Sequence, residues 1–423
     1  MNFDSSAKKF SPVEKTQIMR VPALEAEEIE LGEGDLEIIE DKTNAKKITR
    51  VLEGIRLEKK EAESRFQVSG STEASPDHPE RNEDKHFYSA ERGIIGLWDG
   101  MGGVPAGDYA ASMAANQMTK EQINAHLERA KTPEDIRTAG LIKKVFDSPR
   151  DTKLRQEEVE SAMKAMIHRM NSEVEKLGSY PAVRQKGIEY FNKNLSAQLG
   201  AYDERNPQHQ QMLEITLGQI GCTASMMKMW RDKNGQDQVT VGQVGDSRIY
   251  RLRDGKMDQL TKDDSHVQVL IEEGLLKDDQ DLEQTVNTQD ILKLAETRKE
   301  LGALAMKYKN KPPQQIKLKS FRNMILQGVG ISKVMKDQLG LEFAPQAKTY
   351  DAKDGDIYID VSDGVSDVLT DEEIHGIAER YKDQPSKIGE ELQKTATLRS
   401  VRGDHPRSKK DDVTALVAKF SRS

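Results

Sequence analysis

Five times in this chain an acidic side chain stands at the end of a short apolar run. Glu83-Asp84 precedes HFYSA (86–90), and Asp99 follows GIIGLW (93–98). Asp246 comes just after QVTVGQV (238–244), and Asp363 just after DIYIDV (356–361). Asp411-Asp412 precedes VTALVAKF (413–420). Each run reads as a strand: β-branched and aromatic residues, four to eight long, bounded by turn residues. An ionised acid at the tip of a buried strand is costly unless its charge is compensated. Five such sites with few neighbouring bases imply a shared cation. An all-oxygen donor set selects hard ions such as Mg²⁺ or Mn²⁺. Two of the acids are followed by glycine, Asp99-Gly100 and Asp363-Gly364, which reads as backbone freedom for a tight turn beside an ion.

Around these strands the chain divides unevenly. Residues 1–64 form an acidic N-terminal segment with nine acids and no base between Glu25 and Asp41, so it is expected to be flexible. From residue 65 onward strands and helices come in separate blocks, which predicts an α+β fold with antiparallel sheets and flanking helices. A helix is expected from Asp108 to about Arg129. Helical pieces follow over about 130–215, broken at Pro133, Pro149, Pro181 and Pro207. One of them carries Val159, Met163, Met166, Ile167, Met170, Val174 and Leu177 on one face, a core stripe. Asp254-Gly255 predicts a tight hairpin turn, and Gly274 a helix stop. A second insertion, about 283–322, is read as helical and ends in six bases without an acid: Lys307, Lys309, Lys311, Lys317, Lys319 and Arg322.

Composition narrows the function classes. Lys and Arg number 64 against 72 Asp and Glu, a formal net charge of −8, which argues against a dedicated nucleic-acid binder. The single cysteine, Cys222, excludes an intramolecular disulfide framework and a multi-cysteine zinc site, and fits a reducing compartment. No apolar run approaches the ~20 residues of a membrane helix. The expectation is a soluble, cytoplasmic protein with no membrane partner.

The motifs RNED (81–84), GLWDGMGG (96–103), AGDYAA (106–111), GCTAS (221–225), VGDSRIYRL (244–252), QLTKDDSHV (259–267), DGDIYIDVSDGVSDVLTDEEI (354–374) and DDVTALV (411–417) occur in that order. As a set they resemble the metal-dependent serine/threonine phosphatases of the type-2C (PPM) family, in its bacterial-like DGMGG form. The resemblance implies a two-sheet antiparallel β-sandwich flanked by helices, spanning 65–423, with a dinuclear metal centre at one end. It implies that Asp99 bridges two ions and that the Gly100 carbonyl binds one of them. Asp363 and Asp411 would hold the other, and Glu83 and Asp84 would bind directly or through water. Asp246 and Asp367 match a third, weaker ion position. Asp412 stands where the family commonly has Asn.

The implied activity is hydrolysis of phosphoserine and phosphothreonine in proteins by a metal-bridging hydroxide, with no side-chain nucleophile. Cys222 is then a small buried residue. Two departures stand out. Met101 occupies the place of a histidine general acid found in many eukaryotic relatives. The family's phosphate-gripping arginine falls on Pro79, so Arg81, Arg65 or another base must serve. His266, in DDSHV, reads as a polar loop residue. The basic end of 283–322 is a candidate docking surface for acidic substrates or for the chain's own acidic N-terminal segment. Two other readings remain: a scaffold that kept the fold without turnover, and a phosphatase of a small phosphorylated metabolite.

Overall fold

The computed structural model describes residues 66–322, 324–332 and 342–421, together with four short strands between 29 and 57. These are β1 (Ile29–Glu30), β2 (Leu36–Ile39), β3 (Ile48–Val51) and β4 (Arg56–Leu57), with β1 antiparallel to β4 and β2 to β3. Otherwise the acidic segment 1–64 lies outside the described residues. So does the expected contact between it and the basic insertion.

Two five-stranded antiparallel sheets form the centre. The first contains β5 (Phe66–Glu73), β10 (Arg248–Arg253), β11 (Lys256–Gln259), β15 (Ile357–Val361) and β16 (Val413–Phe420), in the order β11-β10-β15-β16-β5. The second contains β6 (Lys85–Ser89), β7 (Ile94–Trp98), β8 (Ala224–Arg231), β9 (Asp237–Val244) and β14 (Gln346–Asp351), in the order β14-β9-β8-β7-β6. Phe66, Ile95, Leu97, Met227, Met229, Ile249, Tyr358 and Leu416 pack in one buried cluster between the sheets. Alternate residues face outward, as the period of two requires. Met226 and Trp230 on β8 pack on one helical layer, and Ala415 and Val417 on β16 pack on the other. Both faces of each sheet are therefore covered, which explains why the central strands read as almost unbroken apolar runs.

The first helical layer includes Gly107–Asn116, Lys120–Arg129, Pro133–Phe146 and Gln156–Val174. The expected single helix over 108–129 is two. Thr119 breaks it by turning extended and accepting the amide of Gln122 on its hydroxyl, an N-cap that starts the second helix. The methionine stripe of Gln156–Val174 is buried core, as its spacing implies. Pro181–Asn194 and Pro207–Leu217 complete the inserted helices. The second layer is Asp371–Arg380 and Pro385–Arg402. The turn at Asp254-Gly255 has positive φ at both residues and joins β10 to β11, as read from the sequence.

The insertion 283–322 is less helical than expected. A hairpin of β12 (Thr285–Asn287) and β13 (Gln315–Lys317) encloses the short helices Thr288–Leu294 and Gly302–Tyr308. Its Ile291, Leu304, Tyr308 and Phe321 share an apolar cluster with Val267, Leu270 and Leu276, which precede the insertion.

Candidate metal centre

Antiparallel pairing sets the acids at a common end. Lys85 at the start of β6 pairs with Trp98 at the end of β7, so Glu83-Asp84 and Asp99 leave the second sheet side by side. Val361 at the end of β15 pairs with Ala415 near the start of β16, which does the same for Asp363 and Asp411 in the first sheet. Asp246 lies in the connection from β9 to β10, where the chain crosses between the sheets.

Backbone contacts fix this end tightly. Asp99 donates its amide to the Thr223 hydroxyl at 3.1 Å, and Thr223 donates its amide to the Asp99 carbonyl at 2.8 Å. The Gly100 amide reaches the Glu83 carbonyl at 3.2 Å, and the Met101 amide reaches Gly221 at 3.0 Å. The GCTAS motif thus serves as a rail for the segment carrying Asp99. Gly100 and Gly364 are glycines because the chain passes too close for a Cβ, rather than to permit a turn. A Cβ on Gly100 would lie 2.5 Å from the Gly107 carbonyl oxygen, and one on Gly364 would lie 1.8 Å from that of Asp412. Neither has positive φ.

Asp412 accepts the amides of Ser75 at 2.6 Å and Glu83 at 2.7 Å, one on each carboxylate oxygen. A carboxylate takes both; an amide could take only one. Asp412 therefore clamps the Glu83-Asp84 loop to the start of β16. Asp363 opens a one-turn helix, and Asp367 follows one turn later, its amide on the Asp363 carbonyl at 2.8 Å. This spacing puts both acids on one face.

The electrostatics are those of crowded, dehydrated carboxylates. Burial holds Asp84, Asp99 and Asp246 well above the usual carboxylate range, and neighbouring acids add to the effect. For Asp99 those neighbours are Asp84, Asp363, Asp411 and Asp246. Burial raises Asp363 to about 6 despite the opposing charge of Lys409. Burial likewise raises Glu83 to about 7, against Arg81. Neither oxygen of Asp84 has a hydrogen bond of normal length, although the hydroxyls of Thr414 and Ser362 favour its charged form. An acid set of this kind fits hard divalent cations: all donors are oxygen, and added positive charge would relieve both burial and mutual repulsion.

Two basic residues that the sequence does not place at the centre enter the cluster. Lys409 Nζ lies 2.5 Å from Asp363 Oδ2, 3.0 Å from Asp411 Oδ2 and 3.1 Å from Asp367 Oδ2. Arg322, the last base of the insertion, puts Nε 3.1 Å from Asp367 Oδ1. Burial opposes the ionisation of Asp367, yet these two cations hold it below the usual range. The KKDD run (409–412) held the only signal for Lys409.

Arg81 contacts Glu83 Oε1 at 3.3 Å, and its own Nε is buried without a hydrogen bond. Among the described residues, one trio of His, Cys, Asp or Glu has candidate ligand atoms within 4.8 Å of one another: His78, Glu83 and Asp412. Both Asp412 oxygens are already engaged there, and His78 Nδ1 lies 2.8 Å from the Arg81 carbonyl. His266 is not a loop residue: it opens the helix His266–Glu272, buried, with Nδ1 2.9 Å from the Met324 carbonyl. Cys222 is buried between Gly100 and Val329, and burial pushes its thiol far up, away from nucleophilic chemistry.

Known proteins resemble this chain in sequence and in structure. The family model "Protein phosphatase 2C" matches residues 158–404, more than half of the chain. The serine/threonine protein phosphatase PstP of Mycobacterium tuberculosis is 28% identical over 175 residues, 41% of this chain and 24% of its own length. The chain thus spans about a quarter of the length of the curated relatives it matches. Among solved structures, the S. agalactiae serine/threonine phosphatase is 18% identical, with TM-score 0.49, covering 84% of this chain and 100% of that one. The catalytic domain of PstP, in complex with 2 manganese ions, is 19% identical, with TM-score 0.42, covering 84% and 99%. On the extent of the family match, the chain belongs to the protein phosphatase 2C family.

Proposed function

We propose that the chain hydrolyses phosphoserine and phosphothreonine in proteins, in the cytoplasm, using two divalent ions. The observation that carries the reading is the convergence of Asp84, Asp246, Asp363 and Asp411 on Asp99, whose charge each of them opposes, with burial raising Asp84, Asp99, Asp246 and Asp363. Mg²⁺ or Mn²⁺, when bound, supplies an acidified water and counter-charge for the phosphoryl oxygens. Asp99, the Gly100 carbonyl, Asp363 and Asp411 would hold the ions. Glu83 and Asp84 would bind directly or through water, and Asp246 and Asp367 mark a third, weaker ion position.

The remaining tasks fall to this chain's own groups. Arg81 would orient the phosphoryl group, a role supported by its buried, unpartnered Nε. Met101 cannot donate a proton, so protonation of the leaving group is left to water. Asp412 keeps Glu83 and Asp84 aimed inward by its two backbone hydrogen bonds. Lys307, Lys309, Lys311, Lys317 and Lys319 are exposed and would attract acidic or phosphorylated partners, the acidic segment 1–64 included. Deleting residues 1–60 tests that last contact: unchanged rate, affinity and salt dependence would remove it.

The test of the activity is turnover of a phosphothreonine peptide with Mn²⁺, with EDTA, and with Asp99→Asn. Turnover that needs the ion and is lost in the variant supports the phosphatase. A second reading, a scaffold without turnover, is favoured by one observation: an ammonium already sits among Asp363, Asp367 and Asp411. No turnover with any divalent ion would select it.

A further inference from the structure

Lys409 is held in place by its own loop. Two residues earlier, Arg407 is buried and donates to the carbonyls of Gln280 at 2.9 Å and Ser366 at 3.0 Å. Ser408 donates its hydroxyl to the Arg399 carbonyl at 3.0 Å. The loop from Gly403 to Asp412 is therefore fastened to both the helix Pro385–Arg402 and the turn carrying Asp367. Lys409 leaves this anchored backbone with its side chain only 13% exposed, and its ammonium meets three carboxylate oxygens from two strand ends. Three carboxylates around one positive centre is the arrangement a bound cation would have.

Arg322 closes the remaining side. Asp367 Oδ2 faces Lys409 and Asp367 Oδ1 faces Arg322, so both oxygens already have a cationic partner. Asp84 has the hydroxyls of Thr414 and Ser362, rather than a cation, favouring its charge. The acids are thus divided into a half neutralised by the chain and a half that is not.

We propose that Lys409, assisted by Arg322, is a resident cation that takes the place of one divalent ion at Asp367. The inference rests on the metal-dependent reading above. The centre of this chain binds one ion fewer than its carboxylates would otherwise allow, and the inserted hairpin is tied to the centre through Arg322 without a metal.

The test counts ions without substrate. The full chain, Lys409→Met and Lys409→Arg are dialysed against Mn²⁺ to saturation, and bound metal is measured by atomic absorption. Lys409→Met should hold one more Mn²⁺ per chain than the native protein, whereas Lys409→Arg should hold the native number. Equal numbers for Lys409→Met and native, with ions bound, overturn the proposal and leave the phosphatase reading intact. No bound Mn²⁺ in any of them overturns both. Asp367→Asn gives an independent check should Lys409→Met not fold. It should bind the native number, because Asp367 is already spoken for, and loss of one ion overturns the proposal.

Discussion

Gly364→Ala should disable the centre without touching an acid. A Cβ at residue 364 would lie 1.8 Å from the Asp412 carbonyl oxygen, where real Cβ contacts essentially never fall below 3.0 Å. The two segments must therefore part by about 1.2 Å, and the backbone of Asp412 has no flexible end to give way. One segment carries Asp363 and the other Asp411, so the parting falls directly on two proposed ligands of one ion. Misplacement of about 1 Å costs on the order of 10²-fold in rate, or about 2.7 kcal/mol of transition-state stabilisation. We expect kcat/KM on a phosphothreonine peptide to fall by about that factor, with weaker Mn²⁺ binding by calorimetry. Gly376→Ala is the control. Gly376 lies within the helix Asp371–Arg380 with nothing within 4 Å of its Cβ position. Alanine there should leave turnover intact and stabilise the fold by up to about 1 kcal/mol. A Gly364→Ala protein with native ion affinity and native turnover would refute the argument that close passage of these segments sets the site.

Three further outcomes follow from the same structure. Asp412→Asn keeps the shape but loses one of two backbone acceptors, which should cost about 1–3 kcal/mol in urea unfolding and weaken ion binding through Glu83-Asp84. In the ion-free chain, burial raises Glu83 from 4.5 to about 7, so its contribution is fully present below pH 4.5 and lost as pH rises through 7. The melting temperature without ions should fall across that window, by the equivalent of about 3 kcal/mol, and Mn²⁺ should flatten the fall; a flat profile in EDTA would contradict this. Asp360 is fully buried, with only the Ser225 hydroxyl on one oxygen at 2.6 Å, and burial holds it well above its usual range. Asp360→Asn should therefore be more stable than the native chain at pH 8, by about 1–3 kcal/mol, with the gap closing below pH 4; equal stability at both pH values would exclude it.

Much of the fold is written in local pattern. The strands that bury both faces announce themselves as apolar runs, and Asp254-Gly255 announces its hairpin. Strand β14 does not, because QAKTYD is an edge strand, half exposed and largely polar. The split at Thr119 was hidden by an apolar stripe that continues across the break. At the centre, the acids at strand ends were legible because antiparallel pairing brings such ends together. Lys409 and Arg322 were not, since their meeting at Asp367 depends on how a loop and a distant insertion fold back. Gly100 and Gly364 were legible as glycines that matter, but their reason lies in neighbours remote in sequence, Gly107 and Asp412.

The centre draws Asp99 and Glu83-Asp84 from one leaf of the sandwich, Asp363 and Asp411 from the other, and Asp246 from the strap between them. Any ion held jointly by these groups is also a clasp across the two leaves. Prising the leaves apart would have to release it, so metal occupancy and global unfolding become one thermodynamic event. Each tenfold rise in free ion above its dissociation constant then adds about 1.4 kcal/mol of resistance to unfolding per site. A chain of this design would keep its shape most firmly where it is ready to work, and loosen where the metal is scarce.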